Sequence, residues 1–217
     1  MDTDIKVVES FGSLLKKEAL TIMPDIVEVG LDLLIENDII KELPFFSTGI
    51  GLIKGTLNIR DRHLLEKAFV FINEFRKGQI DIAYRSTVMN NPKEYNKFIE
   101  RILIYLDRYT DVVKSKYLSK CVHSFLSESI NENEFIEYMD IIDRLYVDDF
   151  DSLYKTYSDS TEVPKYHKIS RLANSFEFID RGGLMIMGGD PTSTVFKNYT
   201  EVNLTKLGKS FCENVIL

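Results

Sequence analysis

Cysteine is scarce: Cys121 and Cys212 stand far apart in the chain. Two isolated thiols make no disulfide framework and fit a reducing compartment. Eleven glycines and five prolines are too few for a disordered or fibrous chain. No apolar run approaches the roughly 20 residues that span a bilayer. The opening MDTDIKVVES has no basic start, apolar stretch or small-residue cleavage site, so no secretory leader is expected and the location reads as cytoplasmic. Catalytic signatures are missing as well. There is no HExxH, no CxxC and no GxSxG elbow, and His63, His123 and His167 are isolated from one another. Cys121 lies two residues before His123, a spacing that points the pair to different faces of a helix and makes them a poor nucleophile and base. The expectation is therefore a non-enzymatic protein with no cofactor and no metal site.

What is present is an ordinary globular composition: 217 residues, 44% apolar and 28% charged. A chain of this length buries roughly 70% of its unfolded surface without disulfides or metal. The net charge of -7 is unevenly spread. Residues 1–78 carry -3, residues 79–127 carry +3, residues 128–162 carry -9 and residues 164–217 carry +2. The chain as a whole repels phosphate, which argues against a general electrostatic grip on nucleic acid. The acidic block reads as a solvated helical face, or else as a mimic of nucleic acid or a dock for a basic partner.

Apolar periodicity is helical over most of the chain. Residues 5–22 form a first helix, and Pro24 suits the first turn of a second, running to about Asn37. Ser47 or Thr48 caps a long helix ending at Gly78. Its apolar positions, including Leu64, Leu65, Ala68, Phe69, Ile72 and Phe75, recur every three or four residues. A helical stretch from Ile80 stops at Asn90-Asn91-Pro92, where Pro92 begins the next helix. Helices follow over 110–127, after a cap at Asn133, and over 149–157, with short joints that imply antiparallel neighbours. The acids Asp148, Asp149 and Asp151 read as the start of that last helix rather than as ligands, because carboxylates favour a helix N-terminus. A calcium loop in NENEFIEYMDIID fails for want of its mid-position glycine. SDSTEVP, 158–164, is the predicted linker.

Beyond it the pattern changes. Residues 165–179 read as a helix, 184–187 as a strand, GGDP as a turn, about 194–204 as extended chain, and Thr205 as the cap of a final helix. The fold class is thus mainly α: a multi-helix bundle over 1–160, then a small winged-helix-like α+β region over 164–217. That layout serves protein contacts as readily as DNA.

Two stretches invite a functional reading. GIGLIKG, 49–55, places Gly51 and Gly55 four apart, which lets another helix approach closely or gives a surface-active segment. The three glycines do not form the dinucleotide fingerprint, and no strand precedes them. Lys54, Arg60, Arg62 and Lys67 follow, and would favour an anionic surface. IRDRH, 59–63, alternates charge, and Arg60, Asp61 and Arg62 serve either an ion pair to a neighbouring helix or a contact to phosphate or lipid head groups. The expected interaction surface is Gly51, Lys54, Gly55, Arg60 and Arg62, with a second near the wing, Asp190 to Lys197. The alternative is a nucleic-acid-binding regulator using Lys165, Lys168 and Arg171 on a reading helix, with Lys197 in the wing.

The segments ELPFFSTGIGLIKG, NIRDRHLLEKAFVFINEF and LTKLGKSF, in that order among helices, resemble bacterial and prophage-borne proteins of the abortive-infection alpha type and their relatives. Those are helical proteins associated with stopping phage propagation. The resemblance implies a phage-defence interaction protein that acts through a protein partner or a membrane surface, with self-association as a further option. It brings no catalytic residues.

Overall fold

The computed structural model describes residues 2–16, 59–78, 90–159, 167–168, 185–188 and 199–217. The helices expected over 24–37 and 80–90 and the cap at Ser47 or Thr48 lie outside them, apart from Asn90. Among the described residues the chain is mainly helical. It divides into two compact units, Met1–Ser129 and Ile130–Leu217.

The first unit holds α1 (Asp2–Lys16), α2 (Ile59–Lys77), α3 (Pro92–Arg108) and α4 (Lys114–Leu126). Each boundary has a local cause. The Asn91 side chain accepts from the backbone N–H of Lys93 at 3.1 Å and of Glu94 at 3.4 Å, and Pro92 follows with no N–H to lose. α3 stops where Tyr109 turns to extended backbone. At the end of α4 the N–H of Ser129 reaches the Ser124 carbonyl at 2.9 Å, and that of Glu128 reaches Phe125 at 3.2 Å. This is a Schellman closure, in which the residue after the cap must be left-handed.

That residue is Glu128, at φ 62°, the usual place of a glycine. Glu128→Gly is expected to raise the stability of the first unit by about 1 kcal/mol, because the left-handed strain is removed. Glu128→Ala retains the Cβ and should bring no such gain. A urea midpoint that is unchanged or lower in Glu128→Gly would show that the turn carries no strain.

α2 is the central element of this unit. Leu65, Lys67, Ala68, Phe69, Val70, Phe71, Ile72, Asn73 and Phe75 are all buried, so it is covered on more than the one stripe that its period suggests. Phe71 stacks on Phe75, with ring centres 6.0 Å apart, and meets Phe11 of α1 at 5.8 Å. Phe98, near the start of α3, stacks on Phe125, near the end of α4, at 5.6 Å, so these sequential helices run antiparallel as short joints imply. α2 and α4 instead run parallel. His63 lies beside Thr110, just before α4, while Gly78 lies against His123 in its last turns.

α1 and α3 pack closely at Gly12. A Cβ there would stand 2.8 Å from the Tyr95 ring and 3.2 Å from the Ile99 side chain. The bare backbone lets the Tyr95 hydroxyl donate to the Gly12 carbonyl at 2.6 Å.

The second unit holds α5 (Glu132–Arg144), α6 (Val147–Asp159), three short strands and α7 (Lys206–Phe211), which continues as a π-helical turn to Ile216. α5 corrects the sequence reading at its start. The cap is Asn131 rather than Asn133: its side chain accepts from Asn133 and Glu134, while Glu134 reaches back to the Asn131 N–H at 2.8 Å. This reciprocal capping box needs an acid three residues after the cap, and Asn131 has one in Glu134. α6 starts at Val147, and Asp149 accepts from the Tyr146 N–H at 2.8 Å, so the acids there do begin a helix. Thr205 caps α7 as expected, accepting from Gly208 at 3.0 Å.

Strands β1 (His167–Lys168), β2 (Met185–Gly188) and β3 (Tyr199–Leu204) pair antiparallel in the order β1-β3-β2. Met185 stands opposite Leu204, and His167 opposite Thr200.

Phe211 sits at the centre of the second core. Its ring meets Tyr138 of α5 edge-on at 5.3 Å and stacks on Phe150 of α6 at 6.5 Å. The Tyr138 hydroxyl bonds to Ser210 at 2.7 Å. These contacts hold α5 and α6 with the end of the chain in the unit Ile130–Leu217, while residues 160–164 of the predicted linker lie outside the described residues. α5 and α6, assigned from sequence to the N-terminal bundle, bury their apolar faces against the end of the chain.

Candidate interaction surface

The charged segment IRDRH opens α2, and the helical repeat sorts its side chains. Positions 60, 63 and 67 are three and four apart and share one face. That face meets the C-terminal end of α3. The Arg60 guanidinium grips the Asp107 carboxylate with two nitrogens, Nε to Oδ1 at 3.3 Å and Nη2 to Oδ2. His63 donates from Nε2 to the Thr110 carbonyl at 3.2 Å. Lys67 donates from Nζ to the carbonyls of Asp107 at 3.0 Å and Tyr109 at 2.8 Å.

The last carbonyls of a helix lack intrahelical partners and carry partial negative charge, so three basic side chains suit that position. The Arg60 hydrogen bond holds the Asp107 carboxyl below its ordinary range, and Asp107 in turn raises Arg60. Of the two readings of IRDRH, the ion pair to a neighbouring helix is therefore present. It leaves Arg60 79% exposed, so its value is orientation more than stability.

Lys67 corrects the sequence reading. Grouped there with the surface cations, it is only 2% exposed and is spent inside the fold. Burial pushes its ammonium pKa down, and the nearby Asp107 opposes that shift. The run HLLEKAFVF held the signal, since at helical spacing Lys67 has Leu64 three before it and Val70 and Phe71 three and four after it.

Arg62 points elsewhere and forms a loose pair with Glu66 at 3.7 Å, one turn on. Ile59, at the helix start, is 89% exposed. The outer side of this first turn thus carries an apolar side chain beside two arginines, one held by Asp107 and one by Glu66. Gly51, Lys54 and Gly55 lie outside the described residues; of the five expected there, Arg60 is turned to Asp107 and Arg62 to Glu66. Asp107 was missed because its partner stands 47 residues away, beyond any local spacing rule.

In the C-terminal region Lys165, Arg171 and the whole of Asp190 to Lys197 also fall outside the described residues. Lys168 does not, and its placement is a correction. It is extended and pairs with Tyr199 of β3, so it is not on a reading helix. Antiparallel pairing to β3 decides the conformation of these two residues against the helical periodicity around them.

Both cysteines are buried. Cys121 is fully buried and burial pushes its thiol pKa up, while that of Cys212 is pushed up to about 12. Such thiols are poor nucleophiles at neutral pH. Among the described residues no three His, Cys, Asp or Glu side chains group to hold a metal ion, and no helix is long and apolar enough to cross a membrane.

His123 packs against Gly78 with its Nε2 buried and unbonded, and burial lowers its pKa from 6.5. Protonation is therefore harder in the folded chain than in the unfolded one. The stability this residue retains is full above pH 6.5 and falls as the pH drops through that value toward the lower folded pKa. Midpoints of urea unfolding between pH 7.5 and 5 should fall more steeply for the unaltered protein than for His123→Gln. Identical slopes would mean that the ring titrates as if in water.

No matching protein family, curated protein or solved structure is found for this chain.

Proposed function

We propose that this chain is a non-enzymatic interaction protein of the phage-defence, abortive-infection kind, working in the cytoplasm through a protein partner that docks on the first turn of α2. The observation that carries the reading is the nearly fully exposed Ile59 beside Arg60 and Arg62 on a helix whose body, Leu65 to Phe75, is largely buried. Arginine is enriched at protein interfaces, and an exposed apolar side chain beside it gives a partner apolar area to bury. The clasp from Arg60, His63 and Lys67 to the end of α3 holds this turn in place, so docking there orders little that is not already ordered. The defence role is supported by the resemblance of ELPFFSTGIGLIKG, NIRDRHLLEKAFVFINEF and LTKLGKSF to that type of protein. The finer reading of the C-terminal region as winged-helix-like belongs to the same proposal. It is supported by the antiparallel order β1-β3-β2 leading into α7.

The test is phage plating on a bacterial host that expresses the protein, beside Ile59→Asp with Arg62→Glu. Arg60 is left in place because its loss would break the clasp to Asp107. Reduced plating that the double variant loses, at unchanged soluble yield, supports the reading. Normal plating and normal growth with the unaltered protein would overturn it. Cosedimentation with anionic vesicles, lost in the same variant, would replace the protein partner by a membrane surface.

A further inference from the structure

We draw no further inference here: the strongest candidate, the buried Nη1 and Nη2 of the half-buried Arg76 with the Asn73 Oδ1 one turn before it on α2, none of the three atoms with a hydrogen-bond partner, carries nothing because nothing among the described residues shows what covers that face of the helix.

Discussion

Phe211→Ala is expected to cost about 3–5 kcal/mol, the range for emptying a fully buried phenylalanine site. Phe211 has no exposed surface and touches both neighbouring aromatic residues, Tyr138 edge-on and Phe150 face-on. Truncation leaves a cavity between α5, α6 and α7 that none of the three can fill. The unsupported rings also lose the aromatic contact itself, worth about 0.5–1.5 kcal/mol per pair beyond area. Ser210, next to it, loses the geometry of its 2.7 Å bond with Tyr138. The readout is amide hydrogen exchange followed by mass spectrometry on peptides from α5, α6 and α7. Opening made easier by that amount accelerates exchange by about 10²- to 5 × 10³-fold. Wild-type rates in those peptides would show that Phe211 is not the keystone of this core. Phe211→Leu, which keeps much of the volume, should recover most of the protection.

Lys67→Ala comes next, with an expected loss of about 3 kcal/mol from the first unit. Two charge-assisted hydrogen bonds disappear, to the carbonyls of Asp107 and Tyr109, and hydrogen bonds to charged groups contribute about 1.5–3 kcal/mol. The two carbonyls end a helix, where no intrahelical N–H replaces the lost donor. The aliphatic stem adds packing that alanine also removes. Lys67→Met separates the two contributions, since methionine restores the stem and not the donor. If the hydrogen bonds dominate, methionine should recover less than half of the loss. Full recovery by methionine in urea unfolding would mean that Lys67 acts as a hydrocarbon, and the α3 cap would have to be reassigned.

The legible parts of this chain share a physical character: they are decided within three or four residues. Asn91-Pro92 and Thr205 act as caps because their partners are the next backbone N–H groups, and such bonds form wherever the segment goes helical. Even the cap misplaced at Asn133 was present in local form, because Asn131 alone stands three before Glu134 with its capping box. The acids at the start of α6 were read correctly for the same reason. The recurrence of apolar residues every three or four positions told which segments are helices and which faces are inward.

The sequence by itself therefore determined the helical class, the start of α3 at Pro92 and the cap of α7 at Thr205. Only the tertiary structure decided where the long-range partners fall. It paired Arg60 with Asp107, took Lys67 from the surface into the fold, drew Lys168 into a strand, and divided the chain at 129/130 through Phe211. The physical reason is common to all four. An apolar face or a charged side chain is satisfied almost equally well by many partners, so its own pattern names none of them. The choice is made by which helix ends and faces come to lie together once the cores have packed, and that arrangement is a property of the whole chain.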